Sequence, residues 1–271
     1  MRINNNIMAI NSHRQYGING ANIGRNVERL SSGFRVNRAA DDAAGLAISE
    51  KMRTQIRGLN QASRNSQDGI SLVQTAEGAM QTAHGIMQRM RELAVQSANG
   101  TNDNETDRKA LDLEFQQLIN ELEDIEQTVK FNGMTVFGTG ESAGQDGFFQ
   151  LQSGANYADI TTFSVGTLTG VEGDVLTQTA ASTAIAALDV AINSLSLTRA
   201  NLGAIQNRLE FKIQNLDNTA ENLQAAESRI RDVDMAQQMT RFTRDNILFQ
   251  ASTAMLAQAN SLPQSVLQLV G

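Results

Sequence analysis

Leu188, Leu195, Leu202, Leu209, Leu216, Leu223 and Ile230 stand seven residues apart without a gap. That spacing returns one apolar side chain to the same seam every two turns, and so many consecutive heptads predict a long coiled-coil helix. Ile185, Ile192, Ile213 and Ala220 fill intervening seam positions, while Arg199, Gln206 and Glu227 interrupt them. Beyond Ile230 the phase shifts, and Val233, Met239, Phe242, Ile247, Ala251, Ala254 and Leu256 keep an apolar face. The pattern predicts one helix from about 181 to 260, roughly 120 Å long. Asn260-Ser261-Leu262-Pro263 is expected to end or kink it, because proline disfavours a helical residue before it.

The N-terminal third mirrors this. Ile7, Ile10, Ile18, Ile23, Val27 and Leu30 predict a first helix, and Ser31 to Arg38, with Gly33 among polar residues, predicts a break. A longer helix then carries Leu46, Met52, Ile56, Leu59, Ile70, Val73, Met80, Met87 and Leu93, with Gly100 as its expected C-cap. Leu111, Phe115, Leu118, Leu122, Ile125 and Val129 step by three and four along a third helix, for which Thr106 is the expected cap. From Phe131 to about Thr177, Gly and Thr become frequent. Three β-type runs, 134–137, 148–151 and 160–165, predict small hairpins, with exposed turns at 139–147 and 170–180. The expected fold is mainly α: a long antiparallel coiled-coil helical rod with a small β-hairpin region at mid-chain. Its two terminal helical arms pair and bring the chain ends together.

Composition sharpens the picture. A single proline, Pro263, in 271 residues permits long unbroken helices. Aromatic residues are 4% and Trp is absent, which suits helical seams better than a large globular core. Charge is uneven: residues 1–100 carry +5, residues 101–180 carry −11 and residues 181–271 carry −1. An acidic middle between less acidic ends argues against nucleic acid as a partner and for a solvated centre with partners at the ends. No apolar run reaches the roughly 18–20 residues expected of a membrane span. The N-terminus lacks a cleavable secretory signal, so export would take another route. No cysteine is present, which excludes disulfides and thiolate chemistry.

Candidate chemistry is thin, and neither an enzyme nor a cofactor is expected. His13 and His84 have no partner spaced for a zinc motif. Asp103, Asp107 and Glu114 hint at a calcium loop, but Arg108 occupies the position that requires glycine, and a solvated turn before a helix is the expected reading. Gly17, Gly20 and Gly24 lack the strand and spacing of a phosphate loop and fit close helix approach. Asp232-Val233-Asp234 is expected to be solvated helix charge.

A series of segments, in order and spanning nearly the whole chain, resembles bacterial flagellin. They include Arg2-Ile3-Asn4-Asn5-Asn6, Leu30-Ser31-Ser32-Gly33-Phe34-Arg35-Val36-Asn37, Asp41-Asp42-Ala43-Ala44-Gly45-Leu46, Gln74-Thr75-Ala76-Glu77-Gly78-Ala79, Arg91-Glu92-Leu93-Ala94-Val95-Gln96 and Phe131-Asn132-Gly133. Near the C-terminus come Asn246-Ile247-Leu248 and Ala254-Met255-Leu256-Ala257-Gln258-Ala259-Asn260, while Leu267 to Gly271 match the family loosely. The resemblance implies a short flagellin without the large variable outer domains. Residues 1–42 and 232–271 would form a terminal helical domain lining the filament tube, with 43–231 an inner rod carrying hairpins at about 131–177. Terminal assembly would rest on Ile7, Ile10, Ile23, Val27, Leu30, Phe242, Ile247 and Leu256.

The implied protein is a secreted structural subunit of the extracellular bacterial flagellum, a homopolymer built for motility. Its implied partners are a flagellar type III export apparatus, an export chaperone on the C-terminal arm, and filament cap and junction proteins. The segment from Gln88 to Gln96 resembles the patch bound by Toll-like receptor 5 of vertebrate hosts, with Arg89 and Leu93 central and Glu114 on the neighbouring helix. A hook–filament junction protein and a signalling coiled-coil hairpin are the competing functions.

Overall fold

A computed structural model describes residues 6–103, 106–138, 147–168 and 173–270, the stretch from 262 onward as main chain. It is mainly α. In order come α1 (Ile7–Ser32), α2 (Ala43–Ser97), α3 (Asp107–Thr128), the strands β1 (Lys130–Phe131), β2 (Met134–Thr135), β3 (Phe148–Gln152) and β4 (Ile160–Ser164), then α4 (Gln178–Arg231) and α5 (Met235–Val270). The chain divides into two compact units, residues 1–54 with 222–271, and residues 55–221, with boundaries inside α2 and α4 rather than at the helix breaks.

Four helices begin on one device. The side chain of the residue just before the helix accepts a hydrogen bond from the backbone N–H three residues on: Asn6 from Ala9, Asp42 from Gly45, Thr177 from Ala180 and Asp234 from Gln237. Each satisfies an amide that the helix itself leaves unpaired. Thr106 stands at the corresponding place before α3, but its side chain does not cap. It donates instead to the Asp103 carboxylate, 2.8 Å away, and its backbone N–H points to the same oxygen.

In the first unit α1 and α5 pair antiparallel. Gly33 ends α1 in the left-handed conformation (φ 74°), with its N–H on the Arg29 carbonyl. The expected single helix from 181 to 260 is two helices. Asp232-Val233-Asp234 is the break between them, not a run of solvated helix charge: Asp234 caps α5, and Val233 N–H donates to the Gly33 carbonyl at 3.0 Å. The shift of apolar phase after Ile230 was the sign of it. The expected stop at Pro263 does not occur either, since α5 continues to Val270. Proline leaves the carbonyl four residues earlier without its helical donor. That carbonyl belongs to Ala259, and Asn6 Nδ2 donates to it at 2.6 Å.

In the second unit a core of Leu72, Val73, Met80, Met87, Met90 and Leu93 from α2 meets Phe115 and Leu122 of α3 and Leu188, Leu195 and Leu202 of α4. Arg91–Asp189 (2.7 Å) and Arg199–Glu77 (3.6 Å) tie α2 to α4 in antiparallel order. Gly100 does not cap α2. The helix ends at buried Ser97, and the Arg108 guanidinium donates to the Ser97 and Asn99 carbonyls at 2.9 and 3.0 Å. A buried cation thus does the capping expected of a glycine.

Strand β1 pairs β2 across Asn132-Gly133, both at positive φ (52° and 82°), as a two-residue hairpin turn that suits the twist of the strands. Strands β3 and β4 pair antiparallel, Phe149 opposite Phe163, and their aromatic rings enter the core. Gly147 holds φ 79° where a Cβ would lie 2.5 Å from the carbonyl oxygens of Gly138 and Val165, so no other residue fits there. The expected turn at 139–147 lies outside the described residues except for Gly147, while of 170–180 only 170–172 lie outside them: 173–177 have no regular structure and 178–180 belong to α4. Arg2 to Asn5, Asn104, Glu105 and the side chains of Leu267 to Val270 are outside them too.

One compositional expectation is overturned. Helix α4 contains an 18-residue stretch apolar enough, by length and composition, to cross a bilayer. Between Ala180 and Leu197 only Asp189 is ionisable. One face of it, with Ala181, Ala184, Leu188 and Leu195, is buried in the core, Val190 and Leu197 are exposed, and Asp189 is paired with Arg91.

Candidate assembly surfaces

The α1·α5 seam is built from two interleaved rows at heptad spacing. One row is apolar: Tyr16, Ile23 and Leu30 on α1, with Phe242, Phe249 and Leu256 on α5. Tyr16 stacks on Phe249 with ring centroids 4.6 Å apart. The other row is polar. Asn19 Nδ2 donates to Ser252 Oγ at 2.9 Å. One heptad on, buried Asn26 donates to Asp245 Oδ2 and accepts from Gln238 Nε2, each at 2.8 Å. Asn26, Gln238 and Asp245 are all buried. Sequence reasoning missed this row because only apolar periodicity was followed. Gln238, Asp245, Ser252 and Ala259 recur every seventh residue as regularly as the leucines of α4.

The residues expected to carry terminal assembly therefore separate. Ile23, Leu30, Phe242 and Leu256 are half-buried along the pair. Ile7, Ile10, Val27 and Ile247 point outward, with Ile7, Ile10 and Ile247 more than 60% exposed. Met8, Ile18, Leu248 and Met255 join them. The pair is polar along part of its inside and apolar along its outside, the reverse of a helix pair that is finished in water.

The helix breaks at the far end of this pair lock onto each other. Arg35 N–H donates to the Arg231 carbonyl at 2.6 Å, Phe34 bridges Asp232, and the Arg231 guanidinium lies 4.7 Å over the Phe34 ring. Arg231 also reaches Glu50 at 2.8 Å, and Ser49 Oγ donates to Glu227 at 2.8 Å. The hydrogen bond from Arg231 holds the Glu50 carboxyl below the ordinary carboxylate range. Asp41 is lowered by backbone N–H donation from Arg38, then Asn37, and by Arg29. Val36 is buried beside this lock.

In the second unit Arg89 bridges Glu114 of α3 at 2.9 Å and Glu92 at 3.1 Å, and these carboxylates raise the Arg89 pKa further, Glu114 first. Both Arg89 and Glu114 are half-exposed. Leu93 is not on that surface: it is 1% exposed, inside the core. The expectation that it contacts a receptor is corrected by its burial, which places it in the core cluster that also holds Phe115, Leu122 and Leu188. The coiled-coil seam residues Leu188, Leu195, Leu202, Leu209 and Leu216 are buried, and Leu223 and Ile230 are half-buried. Asp103 is held by Thr106, and Glu114 by Arg89. Gly20 lies 3.5 Å (from the Cβ position) from the Phe249 ring, which fits close helix approach, while Gly17 and Gly24 have open space.

The N-terminal helical region of bacterial flagellin matches residues 3–140, and the C-terminal helical region of bacterial flagellin matches residues 185–270. The chain belongs to the bacterial flagellin family. It is 56% identical to the flagellin of Halalkalibacterium halodurans and 47% identical to the flagellar filament 33 kDa core protein of Treponema phagedenis, in both cases over the full length of each chain. The crystal structure of Bacillus cereus flagellin aligns with a TM-score of 0.51 and 33% identity, covering 60% of this chain and 94% of that one. Full-length agreement at 271 residues identifies a short flagellin without large outer domains. Flagellins are structural proteins, and this flagellin is not an enzyme.

Proposed function

We propose that this flagellin is the structural subunit of an extracellular flagellar filament and that neighbouring copies complete its terminal helix pair. One observation carries this: α1 and α5 bury a partly polar seam while Ile7, Ile10, Ile18, Val27, Ile247, Leu248 and Met255 face outward. Each such side chain stabilises by about 1.5–3 kcal/mol when fully buried. Repeated head-to-tail contacts between identical chains give an open helix rather than a closed ring. In this reading residues 1–42 and 232–271 line the filament tube, 43–231 form the surrounding rod, and rotation of the filament drives motility. The same outward apolar rows require a route out of the cell that shields them. That need supports a flagellar export apparatus, a chaperone on the C-terminal arm and a cap at the growing tip.

Electron microscopy of the purified chain added to filament seeds tests the proposal. Full-length protein should extend the seeds, and chains lacking residues 1–40 or 235–271 should not. Growth of the truncated chains would refute it. Failure of the full chain to extend seeds would favour the hook–filament junction reading.

Arg89 and Glu114, half-exposed on adjacent helices, support recognition of the monomer by Toll-like receptor 5. Arg89→Asp should weaken binding to the receptor ectodomain, with unchanged affinity as the opposing result. Leu93→Ala is unsuited to that test because it would open the core.

A further inference from the structure

Outward apolar rows pose a problem for pairing. Hydrophobic burial has no direction. Left to itself, α1 would gain by rolling Ile10, Ile18 and Val27 against Ile247, Leu248 and Met255 of α5, which would hide the surface that assembly needs. We propose that the polar row, Asn19–Ser252 and Asn26–Asp245–Gln238, determines which faces of α1 and α5 meet, and thereby keeps the apolar rows free for neighbouring copies. This rests on the filament reading above and assigns a specificity role to residues within it.

The chemistry fits that role. Asn26 uses both ends of its amide, Nδ2 to Asp245 Oδ2 and Oδ1 from Gln238 Nε2, each at 2.8 Å, so one rotation of each helix satisfies all three groups. Rolling either helix would strip Asn26 and Gln238 of their mutual bonds and leave Asp245 only Arg244 of its own helix, or return these groups to water and break the Tyr16–Phe249 stack. A slip that moves Asn26 on to Ser252 places Asn19 opposite Ala259, which has no side-chain acceptor, and Asp245 beside Gly33. Apolar residues would bind more strongly without choosing a face. Buried polar groups in helix pairs are best attested in this discriminating role.

The absence of cysteine gives a clean test by paired cysteine reporters in the full chain. N19C/S252C reports the observed seam. I18C/A251C reports the rolled pairing, in which outward faces meet. N26D changes no side-chain volume of note but sets two carboxylates against each other. It should reduce the seam cross-link and the seeded elongation rate at least tenfold. N26D/D245N exchanges the partners and keeps every hydrogen bond of the cluster, because Gln238 and the amide introduced at position 245 then both donate to the carboxylate introduced at position 26. It should restore both readouts to within about twofold of the parent. N26L/Q238L/D245L should raise the I18C/A251C cross-link and lower the seam cross-link.

The proposal is overturned if N26D leaves the seam cross-link intact, if the exchange fails to rescue, or if the apolar triple variant keeps the seam with no rolled product. Failure of the parent chain to extend seeds would count against the filament reading. The cross-links would still decide the role of the polar row.

Discussion

The two units solve the same problem, burying one face of a long helix, in opposite ways. In residues 55–221 Leu188, Leu195 and Leu202 of α4 are buried with α2, α3 and the strand rings, Arg91–Asp189 and Arg199–Glu77 lie nearer the surface, and the buried Arg108 is used up in capping α2. In residues 1–54 with 222–271, Asn26, Gln238 and Asp245 are buried while Ile7, Ile10 and Ile247 face out. Both are antiparallel and both use a heptad. What differs is where apolar burial takes place. The first arrangement completes it within one chain. The second leaves apolar side chains exposed on its outside and buries polar groups in its seam, as the proposed contact with other copies requires. Heptad spacing therefore marks a seam, and the residue type in the seam says whether a helix pair is complete.

Cavity formation should separate the units most strongly. Leu202→Ala, at a fully buried site, should destabilise the monomer by about 2–5 kcal/mol in denaturant titration. The double substitution Ile10→Ala/Ile247→Ala should change monomer stability by less than about 0.5 kcal/mol. It should, however, raise the critical concentration for filament growth by about tenfold or more, as expected from lost apolar burial. Equal effects on monomer stability at the two sites would erase the distinction between the units.

Smaller effects test the breaks. Asp234→Ala removes the cap of α5 from the amides of Ala236 and Gln237, at 2.9 and 3.1 Å, and should cost about 1 kcal/mol, read as increased amide exchange in the first turn of α5. Acid should loosen the same lock. Asp41 and Glu50 have folded-state values below their ordinary 3.8 and 4.5, so their contribution is present above those values and is lost as pH falls through the lowered ones. Amide exchange at Arg35 and Val233 should accordingly rise below about pH 4, in a window that E50Q narrows. Least of all, Glu114→Gln should change stability by under about 1 kcal/mol, because the Arg89 pair is half-exposed and screened. A larger loss would mean that the pair supports α2 against α3.

Much of this was legible along the chain. The leucine heptad predicted the seam of α4, buried from Leu188 to Leu216 and half-buried at Leu223 and Ile230, and the Gly33 break was marked by its polar surroundings. The phase shift after Ile230 was visible, but one continuous helix was expected there, and the break at 232–234 was not. The Asn132-Gly133 pair carries the signal of a two-residue hairpin turn, although of the residues around it only the run 134–137 reads as β-type in the sequence. Other features depend on partners distant in sequence. No local pattern says that Arg108 will cap α2 or that Asn6 will supply the donor Pro263 withholds from Ala259, whereas Leu93 stood in the apolar set of α2 and is buried as that set implies.

By itself the sequence determined the mainly helical class, the α4 heptads and the family, because these follow from periodicity and local chemistry that every residue carries with it. Only the tertiary structure decided which face of each terminal helix is inside. Apolar residues lie on more than one side of α1 and α5, so burial alone does not choose between them. Directional hydrogen bonds between residues more than two hundred positions apart distinguish the two arrangements, and those bonds exist only once the helices have met.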